Sequence, residues 1–270
     1  FAPQAEILAY LRHCADKYRL HPHIRFGTSV NGARFDEASG LWHLDTSNGP
    51  ITARALITAT GQLNRPAWPN LPGRDRFAGE TFHSARWDHD VDLTGKTVAV
   101  IGTGASAIQF VPEIAKQAKQ VLLFQRSAPY VIPKPDRPYS ATEQRLMARF
   151  PLLQKLDRAR VYAQNEARVL GFTSLQGAMR FHEYLFKKHL RECVPDPDTR
   201  AKLTPDYPMG CKRILISNDY YQALTKYRIP VITGGVRAIT ADGVEDIDGE
   251  HHQADVIIYG TGFQATGLLA

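Results

Sequence analysis

Residues 97–127 read TVAVIGTGASAIQFVPEIAKQAKQVLLFQRS. Thr97–Ile101 is a short apolar run, the pattern of a strand buried on both faces. It meets Gly102-Thr103-Gly104, after which Ile108, Val111, Ile114, Ala115 and Ala118 recur at helical spacing. Pro112 lies inside that pattern and predicts a kink near it. Val121–Phe124 is a second buried strand. Strand, glycine turn, helix and strand within about 30 residues make a βαβ unit. Such units imply an α/β fold with a parallel sheet and helices on its faces.

The turn itself has the spacing G-x-G-x-x-A, formed by Gly102, Gly104 and Ala107. The first glycine permits the tight turn, and the second lets the backbone approach a pyrophosphate. The third position must be small for helix and strand to pack. Thr103, Ala105, Ser106 and, one turn on, Gln109 complete the start of the helix. Free N–H groups and a partial positive charge there favour phosphate. The candidate ligand is a dinucleotide; the plain alternative is a structural glycine turn. An NAD site places Asp or Glu about 20 residues on, at the end of the second strand. Here that strand ends in Gln125-Arg126-Ser127. Arg126 can pair with a 2′-phosphate through two parallel hydrogen bonds, and Ser127 can add a hydroxyl. The residues therefore favour NADP over NAD, against the alternative of a solvated arginine at a strand end.

Working outward, residues 4–19 predict an amphipathic helix. His23–Val30, Leu41–Thr46 and Ile51–Ile57 are strand candidates, with Asn48-Gly49 as a hairpin turn. Ala55–Thr60 runs on as an apolar strand ending at Gly61. Pro66, Pro69 and Pro72 break any regular element and suggest a connection between two bodies. Residues 75–92 show no clean periodicity. Residues 141–193 predict a charged helical block, and Asn218–Leu224 a short helix. Val231–Ile239, Val244–Ile247 and Val256–Tyr259 predict strands, the last ending at Gly260-Thr261-Gly262.

Composition narrows the function classes. With 270 residues, 43% hydrophobic and 22% charged, the chain has ordinary globular composition. The net charge of +6 suits an anionic ligand, but no basic block points to nucleic acid. Cys14, Cys193 and Cys211 lie far apart, without disulfide or zinc spacing, so no metal is expected and a cytoplasmic setting is. No apolar run approaches 18 residues, so no membrane span is expected.

Before the turn stands Phe77-x-Gly79-x-x-x-His83-x-x-x-Trp87-Asp88. Piecewise this is a loop with aromatics and one histidine. As a whole it resembles the fingerprint of the Baeyer–Villiger monooxygenases, F-x-G-x-x-x-H-x-x-x-W-[P/D], matched at every specified position. Related flavin-containing N- and S-oxygenating monooxygenases usually carry a different aromatic there. The resemblance extends to ATG at 59–61, to PAWPNLPG ending at Gly73, and to GTGASAIQ at 102–109. It continues through FQRS at 124–127, GCKRILISNDYY at 210–221 and YGTGF at 259–263.

The resemblance implies an enzyme using FAD and NADP(H) to insert one oxygen atom from O2 beside a ketone carbonyl, giving an ester or lactone. It implies that Arg213 is a permanent cation for the oxygen-transfer chemistry and that Lys212 faces the NADP phosphates. Two solvated charges at a strand start are the plain alternative. His83 and Trp87, grouped with Arg213 as catalytic candidates, would couple the position of the NADP domain to the active site. Gly61 and Gly262 would mark crossings between cofactor domains.

The implied architecture is a Rossmann-type NADP-binding domain inserted between pieces of a second, FAD-binding dinucleotide fold, with an extra helical subdomain. Its expected parts are 1–62 (FAD-binding), 63–93 (linker with the fingerprint), 94–240 (NADP-binding, with a helical insertion at 141–205) and 241–270 (return to the FAD-binding fold). One departure stands out: residues 1–61 contain no second G-x-G-x-x-[G/A]. With Phe1 in place of an initiating methionine, the expectation is the middle of a longer enzyme. The alternatives are an N- or S-oxygenating flavin monooxygenase and a non-catalytic NADP-binding fragment.

Overall fold

The computed structural model describes residues 2–173 and 176–264. They form two units, one of residues up to Gly61 with Asp136–Pro138, the other of Gln62–Pro135 and the chain from Tyr139 onward.

In the first unit, helix α1 (Gln4–Lys17) is followed by an antiparallel meander of β1 (Val30–Asp36), β2 (Leu41–Thr46) and β3 (Ile51–Ala53). Gly49 takes φ +101° in the Asn48-Gly49 turn between β2 and β3, a conformation that excludes most side chains. The expected strand at 23–30 is absent: a 3-10 turn covers His21–His23, and Gly27 at φ +62° interrupts extension. The expected strand at 51–57 stops at Ala53. Ala53 pairs with Trp42, next to the start of β2, so 54–60 finds no ladder. The strand expected to run into Gly61 is accordingly not formed.

The second unit is built on a five-stranded parallel sheet. Its strands are β4 (Glu80–His83), β5 (Thr97–Ile101), β6 (Gln120–Gln125), β9 (Val231–Thr233) and β13 (Val256–Tyr259), in the order β4-β13-β5-β6-β9. Helix α2 (Ala107–Ile114) joins β5 to β6. Strand β7 (Val131–Ile132) precedes helices α3 (Ala141–Arg149), α4 (Pro151–Thr173), α5 (Gln176–Cys193) and α6 (Pro197–Lys202), then β8 (Leu215–Ile216) and helix α7 (Tyr220–Lys226). Strands β10 (Val236–Ile239), β11 (Gly243–Asp246) and β12 (His251–Gln253) form an antiparallel sheet of their own.

Strand alternation explains the layering. Val98, Val100, Val256 and Ile258 join Ile108 and Val111 of α2 and Leu224 of α7 in one buried cluster. The intervening Ala99, Ile101, Ile257 and Tyr259 join Ile239 and Val244 of the antiparallel sheet in another. The parallel sheet is thus buried on both faces, as its continuous apolar strands predicted.

Three expected stretches gain detail. The stretch expected as a linker, 63–93, contributes the edge strand β4. The expected strand at 231–239 splits at Gly234 and Gly235, whose φ values of +86° and +104° turn the chain from the parallel to the antiparallel sheet. Of the stretch expected to return to the FAD-binding fold, 241–270, residues 265–270 lie outside the described residues; within the rest, β13 is hydrogen-bonded to β5 and β4 in the parallel sheet. Among the described residues no helix is long and apolar enough to cross a membrane.

Candidate dinucleotide site

The parallel strands β5, β6 and β13 end together, and a cavity of about 540 Å³ opens beyond their carboxyl ends. Ligands in open α/β sheets bind in this position. Gly102, Thr103, Gly104, Arg126, Ser127 and Gly262 all line it.

Each small residue of the turn has a distinct reason. Gly102 sits at φ +110°, and its N–H donates to the Phe124 carbonyl at 3.0 Å. A Cβ there would stand 2.5 Å from the Gly260 carbonyl oxygen. At Gly104 a Cβ would meet nothing closer than that same oxygen, at 4.0 Å. The protein leaves this space open, and a phosphate can fill it. Ala107 is fully buried, and a Cβ on Gly260 would come 3.4 Å from its methyl. The spacing of the turn is met by close backbone packing.

Among the described residues, the backbone N–H groups of Thr103, Gly104, Ala105 and Ser106 donate to no acceptor. Four unspent donors at a helix N-terminus suit a pyrophosphate. The buried Thr103 hydroxyl donates to the Ser127 carbonyl at 3.3 Å, tying the turn to the end of β6. Gln109 lies back on its own helix, donating to the Ala105 carbonyl at 2.6 Å, and does not line the cavity.

At the end of β6, Arg126 is exposed and has no ion pair or hydrogen bond among the described residues. Lys212 Nζ donates to Ser127 Oγ at 3.1 Å. The strand end thus gathers two cations and a hydroxyl, groups able to pair with a phosphate. Arg213 is also exposed but is not among the cavity residues.

The fingerprint residues divide. Gly79 is required by space, since a Cβ would meet the Asp255 carbonyl oxygen at 2.3 Å and the Phe77 ring at 2.7 Å. His83 ends β4 and is 1% exposed; its Nδ1 accepts from the Ala85 N–H at 3.1 Å. Its Nε2 is buried and has no hydrogen-bond partner within bonding distance among the described residues. Burial pushes its pKa below the usual imidazole value. Trp68 packs edge-on against both His83 (5.5 Å) and Tyr259 (5.3 Å). Burial pushes the Tyr259 phenol up to about 12. His83 therefore stands one layer behind the cavity wall.

Trp87 takes another place. It packs against Phe82 of β4 (5.1 Å) and Phe110 of α2 (5.4 Å), in the helix-side core and away from the cavity. It touches no cavity residue by any of these contacts.

Two residues that sequence reasoning did not single out belong to the site. Trp68 lines the cavity and carries Arg74 over its ring at 5.4 Å. Thr261 Oγ1 donates to the Ala67 carbonyl at 2.6 Å, and the Ala67 N–H donates to the Gly262 carbonyl at 2.9 Å. These bonds bind the proline-rich stretch to the glycine-rich end of β13, 194 residues apart. Both stretches carried the resemblance, but neither shows a periodicity that predicts pairing. Gly61, by contrast, closes the first unit, exposed and at φ +70°.

Away from the cavity, Asp246, Glu250 and His252 have ligand-type atoms within 4.8 Å of one another. The Asp246 carboxylate is already committed, accepting from His252 Nε2 (2.9 Å) and from the N–H groups of Asp248 (3.0 Å) and Glu250 (2.9 Å). Chiefly the His252 bond holds its pKa below the usual carboxylate value. This triad closes a turn.

Known proteins bear on the geometry. A family model described as flavin-binding monooxygenase-like matches residues 1–168. The chain is 49% identical over 266 residues to a Baeyer-Villiger monooxygenase of Pseudomonas aeruginosa, covering 98% of this chain and 50% of that protein. A Baeyer-Villiger monooxygenase of Streptomyces coelicolor is 42% identical over 268 residues, covering 99% and 52%. Among solved structures, OTEMO in complex with FAD and NADP superposes with a TM-score of 0.83 at 31% identity, over 98% of this chain and 58% of that one. The chain spans about half the length of the curated relatives it matches. On the matched residues and this fold, the chain belongs to the flavin-binding monooxygenase-like family.

Proposed function

We propose that the second unit holds NADP(H). We propose further that the whole protein is an NADPH- and FAD-dependent monooxygenase of the Baeyer–Villiger type, acting on a small-molecule ketone with O2 to give an ester or lactone. The single observation that carries the NADP reading is the pairing of four unspent N–H groups at Thr103–Ser106 with Arg126, Ser127 and Lys212 at the end of the next strand. The names of the matched relatives support the reaction class.

When bound, the nicotinamide supplies a hydride and the flavin activates oxygen. This chain's residues bind and orient. The turn N–H groups hold the pyrophosphate, and the open space at Gly104 admits it. Arg126 and Lys212 take the 2′-phosphate. Trp68 and Thr261 shape the wall at the end of β13. Arg213 is the cation we assign to the oxygen-transfer stage, because a guanidinium keeps its charge and its fork can hold two oxygens.

The first unit has no strand–glycine turn–helix among its described residues; it has one helix and an antiparallel meander. No flavin phosphate cradle is formed by the described residues of that unit.

The proposed setting is the cytoplasm, in keeping with three free, dispersed cysteines. No nucleic-acid partner is proposed: no basic block marks the sequence, and Arg126 lines a nucleotide-sized cavity.

The test is turnover of the whole protein with NADPH, O2 and panels of ketones, sulfides and amines. Ester or lactone is expected. Oxidation of sulfides and amines alone would move the protein to the N- and S-oxygenating class. For the 270-residue chain, visible absorbance separates a flavoprotein from an NADP-binding module. A colourless protein that binds NADP is the module.

A further inference from the structure

Lys212 reaches Ser127 from a segment 85 residues later. A lysine ammonium on a four-carbon stem loses much rotamer freedom in any one position, so something must hold it. Lys212 Nζ lies 4.3 Å from the centroid of the Tyr207 ring. That distance suits a cation held over an aromatic face.

Tyr207 is itself fixed twice. Its hydroxyl donates to the Ala128 carbonyl at 2.9 Å, and its own carbonyl accepts from the Tyr130 hydroxyl at 2.8 Å. The two rings meet edge to face at 5.5 Å, and Tyr130 packs in turn on the buried Phe186 at 4.8 Å. Ala128 directly follows Ser127. The tyrosine is therefore anchored to the strand end that carries the 2′-phosphate candidates. Burial raises the pKa of both phenols, so both hydroxyls remain donors at neutral pH.

We propose that Tyr207 is a specificity-determining positioning residue. Its ring holds the Lys212 ammonium beside Ser127, where it meets the 2′-phosphate of NADP(H) and so discriminates against a dinucleotide lacking that phosphate. The proposal rests on the NADP reading above. Tyr207 touches the cation and not the ligand. Its effect is therefore confined to the ratio of affinities.

The test is calorimetric titration of the whole protein with NADP+, NAD+ and 2′,5′-ADP. Tyr207→Leu removes the ring, and NADP+ and 2′,5′-ADP should weaken by about two- to fivefold while NAD+ is unchanged. Tyr207→Phe keeps the ring and should keep the wild-type ratio. An unchanged ratio in Tyr207→Leu overturns the proposal, and so does an equal loss for all three ligands, which marks a merely structural role. If Tyr207→Leu does not fold, pentafluorophenylalanine at 207 preserves the ring shape and reverses the charge of its face. Measured against Tyr207→Phe, it should lower the ratio, and no change overturns the proposal. Lys212→Met distinguishes the two levels. If it leaves the ratio unchanged, the NADP assignment of Lys212 fails; if it lowers the ratio while Tyr207→Leu does not, only the role of Tyr207 fails.

Discussion

Gly102 and Gly260 meet backbone to backbone, so closely that a Cβ on Gly102 would stand 2.5 Å from the Gly260 carbonyl oxygen. Gly104, two residues on, has no such neighbour. The two glycines should therefore fail differently. Gly102→Ala forces a side chain into φ +110° as well as into the carbonyl. Backbone strain alone should cost about 1–3 kcal/mol, visible as a lower melting temperature. Gly104→Ala should melt within about 1 kcal/mol of the parent and yet lose dinucleotide affinity tenfold or more. Calorimetry with NADP+ checks this, and unimpaired binding by Gly104→Ala would show that no phosphate lies there.

Arg126 is exposed and makes no hydrogen bond or ion pair among the described residues. Arg126→Ala should leave the melting temperature unchanged. It should weaken NADPH much more than NADH, by about 1.5–3 kcal/mol for one lost charge-assisted hydrogen-bonding group. Equal weakening of both cofactors refutes the 2′-phosphate assignment.

Trp87 bridges Phe82 and Phe110. Trp87→Ala should destabilise the unit by about 2–4 kcal/mol through the cavity it leaves between β4 and α2. Trp87→Phe should recover much of this. Affinities for NADPH and NADH should fall together, since α2 carries the phosphate turn for both. A Trp87→Ala protein of parental stability with lost turnover would restore a catalytic role.

How much of this was legible beforehand depends on how local the determinants are. The unit from β5 through α2 to β6 could be read because its apolar runs, glycines and helical spacing lie within 29 contiguous residues, Thr97–Gln125. Strand β4 could not. Phe82 and His83 take their place in the sheet through β13, far along the chain, which pairs with them. The same non-locality hid the placement of β13, whose local sequence shows a buried strand but not its neighbours. Tyr207 and Trp68 were missed for a different reason: each acts through one aromatic face, and a single aromatic in an irregular stretch carries no periodic signal.

His83 is nearly inaccessible, and its imidazolium is disfavoured by burial. Its pKa in the folded protein therefore lies below the ordinary value of about 6.5. As pH falls, the unfolded chain takes up the proton first, so this contribution to stability is full above about 6.5 and is lost as pH falls towards the folded-state value. His83→Gln should flatten part of the acid-side slope in melting temperature. His189, lowered in the same direction by burial, and the carboxylates of Asp36, Asp92, Asp196 and Asp246, lowered by their hydrogen bonds, contribute to the remainder. A slope unaltered in His83→Gln contradicts the assignment.

Arg213, exposed and outside the cavity, is open to direct assay. In the whole protein, Arg213→Ala should oxidise NADPH at close to the parental rate and form no ester or lactone. Product formation by this variant would remove Arg213 from the oxygen-transfer chemistry.

The sheet order β4-β13-β5 has a consequence for a chain emerging from the ribosome. Among the described residues β4 pairs in the sheet with β13 alone, and β13 lies more than 170 residues further on. A nascent chain ending before Val256 can assemble β5, β6 and β9, while β4, with His83 at its end, still waits for a ladder. The wall behind the cavity is the last part of the sheet to close. Loop closure over that span is slow relative to local pairing. Chaperone occupancy and protease nicking on stalled chains should therefore concentrate on 77–88 until β13 is released.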